Sequence, residues 1–335
     1  MVSLTGAWPN PPYGRSTKRV LVFGATGTAG QGAVRALTQA GHDVVCVVRP
    51  ATTAGTLGPE TLQITINLAQ PATQLIDAFK GQKFDVVVSS LSSRTGDPTD
   101  AWAIDHLAHL KILELAEHVS AEQFILLSAI CVQKPQLPFQ HAKLAFEAAL
   151  IASGMTYSIV RPTAFFKSLS GQIERVRQGK PFLVFGDGTL TSCKPISDDD
   201  LGRYIAGCID DAARQNRILP IGGPGPAITP LDQGAELCRL LGKAPKFRHV
   251  PVAMLDVIYN GLRIGGWINP KLARKAELAR IGRYYATESM LVLDSETGRY
   301  DAEVTPSFGT ETLFGFYASV IADDAEVQRG EHSVF

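Results

Sequence analysis

Three glycines in the spacing GxxGxxG, between a short apolar run and a predicted helix, form the most chemically informative pattern in the sequence. Glycine permits a tight turn and lets the backbone approach a phosphate closely. The free N–H groups at the amino end of the helix, predicted over residues 31–40, attract the same anion. We therefore predict a dinucleotide pyrophosphate site, with a ligand-free glycine-rich turn as the alternative. The predicted contacts are Gly24, Thr26, Gly27, Thr28, Ala29 and Gly30.

The residue after the second predicted strand, Asp43–Val48, distinguishes NAD from NADP. An Asp or Glu at this point would hold the ribose 2′-hydroxyl of NAD. This chain has Arg49 there and no acid, and a guanidinium pairs well with a 2′-phosphate. The alternative is a surface arginine that merely flanks the strand. The pattern favours NADPH.

Further cofactor contacts are predicted where parallel strands end, because ligands bind outside the carboxyl ends of such strands. We expect Asn67 to border the adenine, and residues 89–91 to run beside the second ribose. The remaining predicted contacts lie at the ends of the later strands. The full set is Asn67, Ser89, Ser90, Leu91, Ser128, Ala129, Lys143, Arg161, Pro162, Thr163 and Phe165.

Ser128 ends the fifth predicted strand, and Lys143 lies fifteen residues later in a helix. This arrangement resembles the short-chain dehydrogenase/reductase superfamily, in which a Ser is followed by a Tyr-x-x-x-Lys pair. Phe139 stands here in the position of the tyrosine, and a phenyl ring cannot transfer a proton. The departure argues against alcohol or ketone chemistry. Lys143 can still bind nicotinamide-ribose hydroxyls, unless it is a solvated helix residue.

Metal chemistry is poorly supported by the sequence. His106 and His109 lie three residues apart near Asp105, but no third ligand has suitable spacing, so we predict a solvated or core-edge helix face. The five cysteines form no CxxC pair, which argues against zinc, iron–sulfur clusters and a disulfide framework. We predict no metal and a reducing compartment.

The composition of the 335 residues excludes several classes of protein. Lys+Arg and Asp+Glu both number 32, and the zero net charge argues against nucleic-acid binding. No apolar run is long enough for a membrane span; the nearest, Val252–Ile268, contains Asp256 and Arg263 and could instead lie on a membrane surface. Residues 1–17 are predicted to form a loose tail, and because no transit peptide precedes Arg19 we expect a bacterial cytoplasmic location.

Strands alternating with helices up to Pro162 predict an α/β fold with a doubly wound, Rossmann-type parallel sheet. Beyond it we predict short strands at Phe182–Phe185 and Cys193–Ile196, a helix over Asp198–Asp210 and a strand at Arg217–Ile221. This divides the chain into an NADP-binding domain, residues 18–165 with returning segments at about 195–225, and a smaller substrate lobe. The lobe comprises residues 166–194 and 226–335.

Several long segments go beyond the glycine fingerprint. They closely resemble the NADPH-dependent divinyl chlorophyllide a 8-vinyl-reductases, atypical members of the short-chain dehydrogenase/reductase superfamily, over about residues 18–320. The resemblance implies an oxidoreductase of chlorophyll or bacteriochlorophyll biosynthesis, and hence of photosynthesis. It implies reduction of a C=C bond in divinyl chlorophyllide a or protochlorophyllide a. The segments are 87–94, 127–135, 157–169, 193–197, 219–225 and 282–290.

The resemblance also implies roles for individual residues. A C=C bond has no oxygen to protonate, which suits the missing tyrosine. The candidate proton donors are Lys143, Tyr284, Tyr285 or an ordered water. Alternatives to an enzyme are a non-catalytic NADP-binding redox sensor and a structural subunit. The predicted walls of an apolar tetrapyrrole cleft, for which core packing is the alternative, are Cys131, Phe139, Phe165, Phe166, Phe185 and residues 251–290.

Overall fold

The computed structural model describes residues 17–50, 52, 57–58, 61–93 and 97–323. The predicted tail at residues 1–16, and Arg94 at the end of one of the distinctive segments, therefore lie outside the described residues.

A seven-stranded sheet forms the centre of the molecule, and all its neighbouring strands are parallel. The order β3-β2-β1-β4-β5-β6-β8 confirms the predicted doubly wound, Rossmann-type fold. The central strands are apolar and buried on both faces, as strands covered by helices on each side must be. The sheet strands are β1 Arg19–Phe23, β2 Asp43–Val48, β3 Leu62–Thr65, β4 Val86–Ser89, β5 Gln123–Leu127, β6 Thr156–Pro162 and β8 Arg217–Ile221.

Two smaller sheets and twelve helices complete the described chain. One small sheet pairs β7 (Phe182–Phe185) with β9 (Phe247–Val250), and the other pairs β10 (Val292–Leu293) with β11 (Tyr300–Asp301). The helices are α1 Thr28–Gln39, α2 Ala72–Ala78, α3 Pro98–Ala101, α4 His109–His118, α5 Pro138–Ala152, α6 Phe166–Leu169, α7 Ile173–Arg177, α8 Asp198–Ala206, α9 Pro230–Leu240, α10 Ala253–Gly266, α11 Pro270–Thr287 and α12 Leu313–Ala322.

Two predictions beyond β6 are wrong. Residues 193–196 form no strand, because Cys193 makes isolated bridges to Ile228 and Met290 while Ile196 bridges Phe165, so no single neighbour supplies a ladder. The helix α8 ends at Ala206 rather than at residue 210. Gly207 caps it, and Asp210 has a φ of 57°, which a continuing right-handed helix cannot include. The division into a cofactor domain and a substrate lobe stays a prediction.

The helix predicted to carry His106 and His109 is present but changes its winding in the middle. Helices α3 and α4 are continuous with a π-helical segment, Trp102–Ala108, that lies between them. A π-helical turn shifts the register of the side chains beyond it and occurs frequently at functional sites. The segment carries Asp105, which is buried.

Glycine contacts join α1 to α8 on one side of the sheet. A Cβ on Gly32 would lie 2.1 Å from the carbonyl oxygen of Asp198, and a Cβ on Gly202 would lie 2.2 Å from that of Gly32. Because both neighbours are backbone atoms, only glycine allows the two helices to approach this closely. The contact fixes the helix that begins at the glycine-rich loop.

No helix in the described part of the chain is long and apolar enough to cross a bilayer.

We predict that Gly32→Ala destabilises the protein by about 1–3 kcal/mol, because the new methyl group forces α1 and α8 apart. The matched control is Gly261→Ala in α10, where an added Cβ meets no atom within 4 Å. The control should leave stability unchanged or raise it by up to about 1 kcal/mol, owing to helix propensity. Urea unfolding measures both variants, and equal stabilities would contradict the close contact.

Candidate active site

The glycine-rich loop lies between the ends of β1 and β4. Gly24 has a φ of +74°, and a Cβ there would lie 2.6 Å from the backbone of Ser90 and Leu91. A Cβ on Gly30 would lie 2.1 Å from the carbonyl oxygen of Gly24, so the helix packs directly on the loop. Gly27 is different, since it is exposed and a Cβ there would meet only the Gly24 oxygen at 3.4 Å.

The amino end of α1 is open for an anion. Gly27 is its N-cap residue, and no side chain in the described structure caps this end. The N–H groups of the first turn therefore point outward from the loop without a side-chain acceptor, as a phosphate site requires. Thr26 accepts a hydrogen bond at its carbonyl from the Gln31 side chain (3.0 Å), which steadies the turn. Thr28 and Ala29 open the helix and are partly exposed.

Arg49 and Asn67 flank this loop at the same edge of the sheet. Arg49 directly follows β2 and is exposed, so its guanidinium can reach a ligand on the surface of the edge. Asn67, two residues beyond β3, is also exposed, and its side-chain oxygen accepts from the N–H of Ala69 at 3.0 Å. The parallel register places the end of β2, which precedes Arg49, next to β1, and the end of β3, which precedes Asn67, next to β2.

Lys143 forms a buried ion pair with Asp105. Its Nζ lies 2.9 Å from Oδ1 of Asp105, and the two side chains are 9% and 0% exposed. The same oxygen also accepts from the hydroxyl of Ser92 and the N–H of Ser93. Burial acts to raise the pKa of Asp105, but the Lys143 charge and these hydrogen bonds outweigh it and hold the pKa below its usual value. The Asp105 carboxyl group is therefore ionised at neutral pH.

His109 is a buried neutral imidazole beside this pair. Its Nδ1 lies 2.8 Å from the carbonyl oxygen of Ile104, which can only accept, so Nδ1 carries the proton. Its Nε2, 2.9 Å from the hydroxyl of Ser89, then accepts from that serine. Burial, with the nearby Lys143 charge, lowers the pKa of His109 to about 4. Both ring nitrogens are therefore hydrogen-bonded. Because Asp105 and His109 are buried, the predicted solvated or core-edge helix face is wrong for these two residues.

Ser128 belongs to a second buried network on α5. Its hydroxyl donates to Glu147 at 2.5 Å, and Glu147 forms an ion pair with Arg161 through both of its carboxylate oxygens. The Glu147 side chain is 3% exposed, so this carboxylate depends on its partners for stability. Ser128 and Lys143 line the same small space together with Asp105, His109 and Phe146. The structure thus brings together the predicted Ser–Lys pair.

At the ends of β5 and β6, the predicted contact residues offer backbone groups rather than free side chains to a ligand. Ala129 precedes the 3₁₀ turn after β5, and Pro162 ends β6. Thr163 donates its N–H to Ile221 at 2.9 Å and its hydroxyl to the carbonyl oxygen of Lys194. The hydroxyl of Ser89 is hydrogen-bonded to His109, whereas the buried hydroxyl of Ser90 has no partner among the described residues.

Tyr284 fastens the loop after β5, residues 130–137. Its hydroxyl lies 2.9 Å from the carbonyl oxygen of Cys131 and 3.1 Å from that of Lys134. Gln140 holds the loop from the other side, since its side chain donates to Cys131 and accepts from the N–H groups of Gln136 and Leu137. Tyr284 is therefore engaged with backbone, and burial raises the pKa of its hydroxyl.

Tyr285 lies against Cys131 of this loop. The tyrosine hydroxyl is 3.9 Å from the Cys131 sulfur, and burial raises the pKa of both groups. Phe139 and Phe166 pack in the same apolar cluster, Phe166 being fully buried against Phe316. These predicted wall residues therefore adjoin the loop, although the buried ones also serve as core.

Phe165 and Phe185 lie elsewhere. Phe165 packs against the core beneath α1 and α8, where it bridges Ile196. Phe185 ends β7 and is partly exposed. Neither ring lines the small space around Lys143.

The burial of Glu147 and of Asp105 was not predicted from the sequence. Glu147 was missed although it lies four residues after Lys143, on the same helix face. The burial of Asp105 was also detectable, because it shares a three-to-four-residue spacing with the apolar Ala101, Ala108 and Ile112. In both cases the charge of the side chain alone suggests a residue that faces water.

The chain is similar in sequence to known proteins. The family model described as NAD(P)H-binding matches residues 24–212. "Divinyl chlorophyllide a 8-vinyl-reductase, chloroplastic" of Oryza sativa subsp. indica is 45% identical, covering 99% of this chain and 85% of its own. The Arabidopsis thaliana protein of that name is 47% identical, covering 91% and 77%.

A solved structure shows a similar fold. The NADPH-dependent quinone oxidoreductase of Escherichia coli, complexed with NADPH, matches with a TM-score of 0.65 at 16% identity, covering 90% of this chain and 99% of its own. At this identity the likeness concerns the fold alone.

The expected bacterial cytoplasmic location is contradicted by the relatives. Both carry chloroplastic in their names, and they match nearly the whole chain. The expectation rested on the composition of the residues before Arg19, which does not determine the compartment of a protein.

We predict that His109 makes the protein less stable in mild acid. In the unfolded chain this imidazole binds a proton below about pH 6.5, whereas in the folded protein it does so only near pH 4. The unfolded state therefore takes up more protons as the pH falls, and between pH 7 and pH 5 this group should cost about 2 kcal/mol.

Urea unfolding of the wild type and of His109→Gln at both pH values measures this difference. The variant should lose about 2 kcal/mol less than the wild type on acidification. The matched control is His141→Gln on the exposed side of α5, which should keep the wild-type pH dependence. Equal slopes for the wild type and His109→Gln would contradict a buried neutral imidazole.

Proposed function

The chain belongs to the divinyl chlorophyllide a 8-vinyl-reductase family, and we propose that it uses NADPH to reduce the C8 vinyl group of a divinyl chlorophyllide to ethyl. The observation that carries the proposal is the carboxyl-end side of the sheet, where the open, glycine-rich start of α1 follows β1 and the buried Lys143 lies beside the end of β5. NADPH, when bound, supplies the hydride. The protein's residues bind and orient the cofactor and the substrate, and they exclude water.

The glycine-rich loop fits a pyrophosphate. Gly27 leaves the space that a side chain would fill, and the uncapped first turn of α1 offers N–H donors to the anion. We infer contacts from residues 24, 26–30 and 89–91 because of their positions around this loop. Arg49, exposed at the end of β2, is proposed to pair with the 2′-phosphate, which is the feature that separates NADPH from NADH.

Lys143 is proposed to orient the nicotinamide ribose. Its ammonium is held by Asp105 rather than turned to solvent, so it is fixed in position before any ligand binds. Phe139 at the usual tyrosine position offers no proton, which is compatible with a C=C substrate because no oxygen develops charge at the reacting carbon.

The two tyrosines are proposed to differ in role. Tyr284, whose hydroxyl faces two backbone carbonyls, positions the loop of residues 130–137. The hydroxyl of Tyr285, in contrast, contacts the Cys131 thiol and no backbone carbonyl among the contacts of the described structure. It is therefore our candidate for the group that gives a proton to the reduced substrate, next to the walls formed by Cys131, Phe139 and Phe166.

The activity is tested directly. Protein incubated with NADPH and divinyl chlorophyllide a should convert the pigment to the ethyl form, seen as a blue shift of its Soret band. An unshifted band from protein that still binds NADPH tightly would contradict the enzyme and favour a redox sensor. Parallel reactions with divinyl protochlorophyllide a establish which pigment is preferred.

Arg49→Ala should raise the KM for NADPH by about 10–100-fold and leave the KM for NADH nearly unchanged, because a charge-assisted phosphate contact is lost. Steady-state kinetics with each nucleotide measure the ratio. The matched control is Arg248→Ala in β9, another exposed arginine, which should keep the wild-type preference. An equal rise in both KM values would show that Arg49 does not read the 2′-phosphate.

A further inference from the structure

Helices α10 and α11 form a hairpin whose outer face is apolar and unpartnered in the described structure. In α10 Leu255 is buried, whereas Met254, Val257, Ile258 and Ile264 are exposed. They recur every three or four residues, which places them on one face of the helix. The exposed members, continued through the turn after α10, are Met254, Val257, Ile258, Ile264, Trp267 and Ile268.

The most exposed of these apolar side chains lie at the turn of the hairpin. Trp267 and Ile268 are 92% and 91% exposed, more than any other large apolar side chain of the described chain. Glycines close the hairpin tightly beneath them, since a Cβ on Gly265 would lie 2.8 Å from Leu272 and one on Gly266 would lie 3.0 Å from Ala273. The tip is thus presented by two closely packed helices.

The same tip carries a cluster of positive charge. Arg263, Lys271, Arg274 and Lys275 are all exposed within thirteen residues. The two acids of the hairpin lie nearer its base, where Asp256 pairs with Arg283 and Glu277 lies 3.7 Å from Arg280. In a chain with no net charge, this excess of cations around an apolar tip is a local feature.

We propose that the tip of the α10–α11 hairpin docks on an anionic membrane surface. An amphipathic helix with a tryptophan and basic residues lies in the headgroup region with its apolar face buried about 5–10 Å. The four cations complement the negative charge of anionic lipids, and this complementarity favours a bilayer over a neutral protein partner. The docking is peripheral, since neither helix spans a bilayer.

The base of the hairpin connects this surface to the loop of residues 130–137. A cavity of about 160 Å³ lies there, lined by residues of α10, α11 and the loop, including Leu137, Tyr259 and Tyr284. A docked tip would therefore hold the loop within about 21 Å of the bilayer, the length of the helix α10. If the proposed function holds, an apolar pigment could then enter from the lipid; the docking itself does not rest on that function.

Flotation of the full chain with vesicles tests the docking without pigment or nucleotide. The protein should float with vesicles of equal parts phosphatidylglycerol and phosphatidylcholine, and much less with phosphatidylcholine alone or in high salt. Trp267→Ser combined with Ile268→Ser should weaken binding at least about tenfold. Lys271→Gln and Arg274→Gln should each weaken it about fivefold. The matched control, Val304→Ser, removes an exposed apolar side chain elsewhere and should bind as the wild type does.

Three results would overturn the proposal: no flotation with the anionic vesicles, flotation unchanged by the double variant, or a concentration-dependent dimer that the double variant abolishes. The last, measured by analytical ultracentrifugation, would assign the face to a second copy of the chain. The Soret assay on pigment in detergent keeps the two proposals separate. A double variant that no longer floats but still shifts the band retains the enzyme function.

Discussion

Two buried ion pairs on α5 hold together the parts from which the site is built. Lys143 pairs with Asp105 on the π-helical segment, and Glu147 pairs with Arg161 on β6 while accepting from Ser128 at the end of β5. A charge removed from water must keep its partner, or it becomes strongly destabilising. The two pairs therefore constrain α5, two strand ends and the distorted helix to one arrangement.

This constraint also explains how Lys143 can be held in position although Phe139 replaces the usual tyrosine. The Lys143 ammonium is positioned by a carboxylate from another helix rather than by a tyrosine four residues before it. His109 fills the adjacent space as a neutral ring that bridges Ser89 and Ile104. Lys143, His109 and Oδ1 of Asp105 are thus partnered within the protein, whereas Oδ2 of Asp105 and the hydroxyl of Ser90 have no partner among the described residues. The glycine-rich loop stays open.

Features that local pattern determines could be predicted from the sequence. The apolar run at Arg19–Phe23, the glycine spacing and the strand–helix alternation specified the sheet, because each depends on neighbouring residues alone. Features that depend on distant contacts could not be predicted. Whether residues 193–196 form a strand is decided by partners at Ile228 and Met290, and the burial of Glu147 is decided by Arg161. The hairpin of α10 and α11 did leave a local signal, since Asn269-Pro270 is typical of a helix start.

The attachment of residues 130–137 to the last third of the chain has a consequence for the order of assembly during synthesis. Tyr284 lies 153 residues after Cys131, and Leu291 lies 158 residues after Gln133, yet each pair is hydrogen-bonded. A chain leaves the ribosome from its amino end, so all seven strands of the main sheet exist well before these partners do. The loop can therefore reach its native conformation only late in translation, after the sheet edge that it borders.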